Sequence, residues 1–324
     1  MEWYVILILA LVGAFLFLFL FPVLVMSYVL YSVLLVRNSK KKWGRECSIP
    51  DDEEYRRMFD EGLAWEEKWR EKKTVVSVKS GRLRLAGEYF DFGGDRAVII
   101  ISGRMESLLY SYFFAEPFRR AGCSVLVIDN RAHGESDGKI SSLGYREYRD
   151  VIEWSRMLHD DFGVGKITLF GICIGASTAL FTAVSDKCPD YVDSIGVEGM
   201  YVNFYESFVN HMREDRPDRR QFPILHGVML HIWAISGANV VTDGPVKRIS
   251  LLKKPILFLH SREDQYSLPE KAELLYDKCK APKRIVWFDR GKHSRIRINN
   301  REKYDDAVIK YIEDLDSRFN GDNP

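Results

Sequence analysis

Between Trp3 and Val36 the chain carries no charge, and only Gly13, Pro22, Ser27 and Ser32 interrupt an apolar run rich in Leu, Val and Phe. As a helix rising ~1.5 Å per residue, it is long enough to cross a ~30 Å hydrocarbon core with length left over. Two crossings would need more residues and a polar turn. Residues 1–36 therefore predict one transmembrane helix, with Pro22 disturbing the turn before it. Only Glu2 precedes the run, without a basic leader region or a small-residue cleavage site, so an anchor is expected rather than a signal peptide. Arg37, Lys40, Lys41, Lys42 and Arg45 follow. Positive charge stays cytoplasmic, which predicts a single-pass cell-membrane protein with its large domain inside; the alternative is an extracytoplasmic domain. Five cysteines, an odd number, make no disulfide scaffold and suit a reducing compartment.

The rest of the chain is ordinary in bulk. Its 47 Lys and Arg balance 46 Asp and Glu, so no basic field argues for nucleic acid. With 46% hydrophobic and 29% charged residues, a disordered chain, a collagen repeat and a coiled coil are excluded. Residues 37–74 read as a basic juxtamembrane segment and an amphipathic helix. Tyr55, Met58, Phe59, Leu63, Trp65 and Trp69 recur at helical spacing, and Pro50, Asp51 and Asp52 supply a start. That helix is expected to pack on the domain or on lipid headgroups.

Residues 75–324 alternate strand and helix. Leu83, Leu85, Gly87 and Tyr89 predict a half-buried antiparallel strand. Short apolar runs at Ala97–Ile101, Ser124–Ile128, Ile167–Phe170, Ile195–Val197, Ile256–Leu259 and Ile285–Phe288 predict buried parallel strands. Helical stretches lie between them, about Tyr112–Ala121, Tyr145–Asp161, Gly175–Val184, Pro269–Cys279 and Arg301–Asp316. The predicted class is α/β, a doubly wound and mostly parallel sheet. An aromatic-rich insertion at about 199–250 interrupts it before the fifth run.

Chemistry gathers where the strands end. After Ile167–Phe170 comes Gly171-Ile172-Cys173-Ile174-Gly175 and then an apolar helix. This strand, G-x-C-x-G, helix order is a nucleophile elbow with sulfur in place of the hydroxyl. The helix N-terminus beside Cys173 favours thiolate. Asp264 follows the strand Ile256–Leu259, and His293 follows Ile285–Phe288. Ligands in open α/β sheets sit at those ends, and nucleophile, acid, histidine is the order this fold uses. His226 and His231, with Cys188 or Cys279, lack the spacing of a zinc site, so neither metal nor cofactor is expected. His133 reads as an anchor of its own turn, and Glu198 as a second candidate acid. Lys253-Lys254 and Arg216–Arg220 read as solvated faces.

Over about residues 75–316 the chain resembles the α/β-hydrolase superfamily, with bacterial membrane-anchored, serine-aminopeptidase-like or deacetylase-like members as the nearest. Besides the elbow, Ile99-Ile100-Ile101-Ser102-Gly103-Arg104 is similar to the family's strand and oxyanion loop. Asp129-Asn130-Arg131-Ala132-His133-Gly134-Glu135-Ser136 is similar to its D-x-R-G-H-G-x-S turn. Asp243-Gly244-Pro245 and Lys254-Pro255 resemble the lead-in to its acid strand. The resemblance implies Cys173 as nucleophile where serine is usual, His293 as base and Asp264 as orienting acid, with the backbone N–H groups of Arg104 and Ile174 as oxyanion hole. Ser102 stands where the family has His, and Ala132 where it has Gly. Dienelactone hydrolases of the same superfamily also use cysteine at this place.

Three functions are compatible with these residues. The first is a membrane-anchored hydrolase that cleaves an ester, lactone or thioester through an acyl-cysteine. The others are an acyltransferase using the same triad and an inactive hydrolase-fold binding protein. Tyr201, Phe204, Phe208 and Trp233, with Tyr205, Phe222, Leu225 and Met229, are expected to form an apolar lid and acyl pocket over Cys173. With the tether, that lid points to a small-molecule acyl substrate of lipid-like character.

Overall fold

The computed structural model describes residues 2–47, 51–215 and 222–321. Pro50 of the expected helix start and the basic stretch Arg216–Arg220 lie outside the described residues. The N-terminal helix runs Trp3–Leu35, unbroken across Pro22. Among the described residues it is the one helix long and apolar enough to cross a membrane.

Eight strands make one sheet: β1 (Lys73–Ser80), β2 (Leu83–Phe90), β3 (Arg96–Ile101), β4 (Ser124–Ile128), β5 (Lys166–Ile172), β6 (Val192–Glu198), β7 (Ile256–Ser261) and β8 (Lys283–Phe288). Their spatial order is β1-β2-β4-β3-β5-β6-β7-β8. The β1–β2 and β2–β4 pairs are antiparallel, and the pairs from β4 through β8 are parallel. β3 and β4 are buried along their whole length. Helices cover both faces there, so their sequences are continuous apolar runs.

Three strands depart from the sequence reading. β1 was not foreseen; it is a largely polar edge strand paired with β2 in a hairpin. β2 is not half-buried, because every residue from Leu85 to Phe90 is buried. Helix Glu147–Phe162 lays Trp154 over Gly87, where a β-carbon would stand 3.0 Å from the indole, and Trp65 packs on Phe90 with centroids 4.8 Å apart. β8 was read as fully buried, yet only Phe288 is buried, since this strand closes the far edge.

Helix Glu53–Trp69 packs on the domain. Asp52 caps it by accepting the Tyr55 N–H at 2.9 Å. Its Tyr55, Met58, Phe59 and Trp65 face is buried. The insertion between β6 and β7 carries helices Phe204–Asp215 and Ile224–Ser236 and the short turn Pro245–Arg248. These lie over the C-terminal ends of β5 and β6.

Candidate active site

The elbow is built by close packing. Cys173 sits between β5 and helix Ile174–Ala183 at φ +55° and ψ −111°, a conformation that L residues rarely adopt. A β-carbon on Gly171 would stand 2.2 Å from the Gly175 carbonyl oxygen, and one on Gly175 would stand 2.0 Å from that of Ile101. Both neighbours are backbone and cannot retreat, so the two glycines are steric requirements of the turn. The Cys173 N–H donates to the Glu198 carbonyl at 3.0 Å, which ties the turn to the end of β6.

The structure brings His293 and Asp264 to this turn. His293 Nδ1 lies 2.8 Å from Asp264 Oδ2 and 3.0 Å from Oδ1. The Tyr266 and Ser267 N–H groups donate to Asp264 Oδ1 at 3.0 and 2.8 Å, which fixes the carboxylate behind the ring. Burial alone would lift the Asp264 carboxyl, but the imidazolium and these donors hold it below the usual carboxylate range. For His293 burial opposes protonation. The Asp264 carboxylate and the Cys173 side chain outweigh it and raise the imidazole well above its ordinary range. The second ring nitrogen, Nε2, is buried without a hydrogen bond among the described residues.

Cys173, His293, Arg104 and Ile174 line one cavity of about 330 Å³. Tyr201, Phe204 and Phe208 supply its apolar wall, each less than a tenth exposed. Trp233 does not belong there: it is 57% exposed and outside the cavity lining, because helix Ile224–Ser236 turns Leu225, Val228, Met229 and Ile232 inward instead. Periodicity marked these positions as one apolar group but could not say which arc of the helix faces the cavity.

Loop 102–106 frames the other side. The Gly103 N–H is already committed to Glu106 Oε2 at 2.8 Å. Ser102 Oγ donates to the Glu106 carbonyl at 3.2 Å, so this serine, standing where the family has His, serves as a tie within the loop. Tyr55 OH donates to Glu106 Oε1 at 2.7 Å. Desolvation raises the Glu106 carboxyl and lowers the Arg104 guanidinium. Glu106 and, from helix Glu53–Trp69, Tyr55 are site-lining residues that the sequence reading missed. Glu106 lies two residues past the oxyanion-loop motif, but nothing local links residue 55 to it.

Glu198 is fully buried beneath the pair. Tyr304 OH donates to its Oε2 at 2.5 Å, while desolvation raises its carboxyl to about 7 against the lowering pull of Tyr304 and His293. Asp264, not Glu198, contacts the imidazole. In the turn after β4, Ala132 takes φ +65° where glycine is usual. His133 Nδ1 lies 2.9 Å from the Arg131 carbonyl, and its ring stacks on Trp43 at 4.8 Å.

The N-terminal helix and the basic segment after it are tied to the domain. Arg37 donates to the Gly134 carbonyl at 2.7 Å, and Arg45 bridges Glu88 and Asp129 at 3.0 Å each. Lys42 Nζ caps the end of the N-terminal helix at the carbonyls of Ser32 and Val33. The sequence reading saw these cations only as a topology signal.

A family model described as the alpha/beta hydrolase fold matches residues 96–227. The chain is 28% identical over 219 residues, 67% of its length, to the uncharacterized protein YqkD of Bacillus subtilis, of which the match spans 71%. It is 23% identical over 207 residues to the alpha/beta hydrolase domain-containing protein WAV2 of Arabidopsis thaliana, 59% of this chain and 61% of that one. Among solved structures, esterase Pf2001 of Pyrococcus furiosus superposes with a TM-score of 0.64 at 20% identity, covering 76% of this chain and 93% of the esterase. The esterase EaEST of Exiguobacterium antarcticum gives 0.54 at 15% identity, over 74% and 100%. The chain has the α/β-hydrolase fold.

Proposed function

We propose that this protein is a membrane-anchored acyl hydrolase that cleaves an ester, lactone or thioester through an acyl-cysteine. One observation carries the reading: a cysteine on a strained elbow and a carboxylate-held imidazole open onto the same aromatic-walled cavity. Esterases among the structural neighbours support the reaction class. The two backbone donors that hold Asp264 behind the imidazole support an active site over a degraded one.

The Cys173 thiolate attacks the acyl carbonyl while His293 carries the proton. The S–C bond forms, and negative charge moves to the carbonyl oxygen. Backbone N–H groups of Ile174 and Arg104 would receive that charge, a fixed donor being worth ~3 kcal/mol of barrier. As the C–O bond breaks, or C–S in a thioester, His293 gives its proton to the leaving group. Water, deprotonated by the same nitrogen, then adds to the acyl carbon; the C–S bond breaks and acid product leaves. Asp264 holds the ring in the tautomer both transfers need.

The helix Trp3–Leu35 serves as a retained anchor, with the domain on the cytoplasmic side. Ser27, Tyr31 and Leu35 are buried in the domain, and the Ser141 N–H donates to the Leu35 carbonyl at 3.0 Å; removal would expose a packed surface. The decisive experiment is site-resolved alkylation of the full chain in detergent. Iodoacetamide should modify Cys173 ahead of Cys47, Cys123, Cys188 and Cys279 and abolish turnover of a p-nitrophenyl ester in proportion. Cys173→Ala should be folded and inactive. Normal turnover by that variant ends the reading, and product formed only with an added alcohol or amine makes it a transferase.

A further inference from the structure

The lid helix Ile224–Ser236 has two dissimilar faces. One packs into the cluster that reaches Tyr201, Phe204, Phe208 and Cys173. The other is bare: Phe222 is 71% exposed, Leu230 48% and Trp233 57%, and only His226 breaks the ridge they form at spacings of four, four and three. No Asp, Glu, Lys or Arg occurs from Phe222 to Thr242. A soluble domain rarely leaves such a ridge in water.

What lies beside this ridge is the N-terminal helix. Ser27 Oγ donates to the Ile224 carbonyl at 3.0 Å. A β-carbon on Gly227 would stand 2.0 Å from Ser27 Oγ, so the two backbones meet through small residues. His231 Nε2 lies 3.1 Å from the Leu24 carbonyl, and its ring meets that of Tyr28 at 5.5 Å. These contacts begin near Val23. From Trp3 to Pro22 the helix rises ~30 Å, the thickness of a hydrocarbon core, and its large side chains there are exposed.

From this register we infer that the lid helix lies in the membrane interface, docked on the end of the anchor, with Phe222, Leu230 and Trp233 in the acyl chains of the adjacent leaflet. The inference rests on the anchor reading above. The occupant is lipid because the ridge continues the bare apolar surface of the span at the depth where the hydrocarbon core ends. Tryptophan favours that depth, and an interfacial helix buries its apolar face ~5–10 Å.

The test uses the full chain reconstituted in phosphatidylcholine vesicles, with plain or dibrominated acyl chains. Subtracting the Trp233→Phe spectrum isolates the Trp233 emission. That emission should be blue-shifted, quenched at least twofold by brominated lipid and insensitive to aqueous iodide. Leu230→Asp should shift it to the red while the protein stays resistant to carbonate extraction. Quenching by iodide and not by bromine, in a chain still resistant to extraction, overturns the interfacial lid alone. Loss of the chain from the vesicles on extraction overturns the anchor reading, and the inference with it.

Discussion

A β-carbon on Gly199 would stand 3.0 Å from His293 Cε1 and 3.3 Å from Asp264 Oδ2. The residue at the end of β6 is therefore the floor on which the imidazole–carboxylate pair rests, and its φ of +61° places it where glycine is favoured. Gly199→Ala should cost ~1–2 kcal/mol of stability for the left-handed backbone and tilt the imidazole. The expected result is a tenfold or greater fall in kcat with KM nearly unchanged, because a displaced base harms chemistry more than binding. Unchanged kcat would show that the ring tolerates the methyl.

The Asp264 carboxylate and the Cys173 side chain push the His293 imidazole well above its ordinary range, which fixes a sign. A raised folded value means the pair contributes stability fully present below the unfolded histidine value of ~6.5. That contribution is lost as pH rises through the folded value. Asp264→Asn should bring the His293 titration down toward the ordinary range, read from its Cε1–H resonance. His293→Gln should lower turnover by ~100-fold or more, and Asp264→Asn by less, since a thiolate depends less on ring orientation.

Glu198 gives the same sign, from a carboxyl. Its carboxyl is raised from 4.5 to about 7 by burial, so the folded state binds the extra proton. Stability should fall as pH rises from about 4.5 to about 7, by up to roughly 3 kcal/mol. Glu198→Gln should flatten that slope in urea unfolding of the full chain in detergent. A slope unchanged by the substitution would assign it to another group.

Phe208 stacks on Phe204 with centroids 5.6 Å apart and planes 12° apart and lines the cavity with Cys173. Phe208→Ala should cost ~3 kcal/mol and enlarge the acyl wall. The kcat/KM profile across p-nitrophenyl esters from acetyl to dodecanoyl should move toward longer chains. A profile that scales uniformly would make Phe208 a packing residue without a role in selection.

The segment Phe222–Thr242 and the strand β8 mark what the sequence decided and what it did not. Local rules sufficed where one residue's stereochemistry dictates its setting: the elbow glycines beside Cys173, the long apolar helix, and the apolar runs of the central strands, whose burial on both faces leaves no alternation. The order of Cys173, Asp264 and His293 along the chain was equally legible, because parallel strands put every such loop at one edge. Tertiary structure decided the rest. Trp233 and Phe208 carry the same periodic signal, yet one faces out and one lines the cavity, since each sits on its own helix and only one arc of each turns inward. Tyr55 reaches Glu106 across 51 residues, and Gly199 meets His293 only because β6 ends beside the loop after β8. Burial and contact are properties of the packed whole; a window of sequence carries the propensity for them but not the partner.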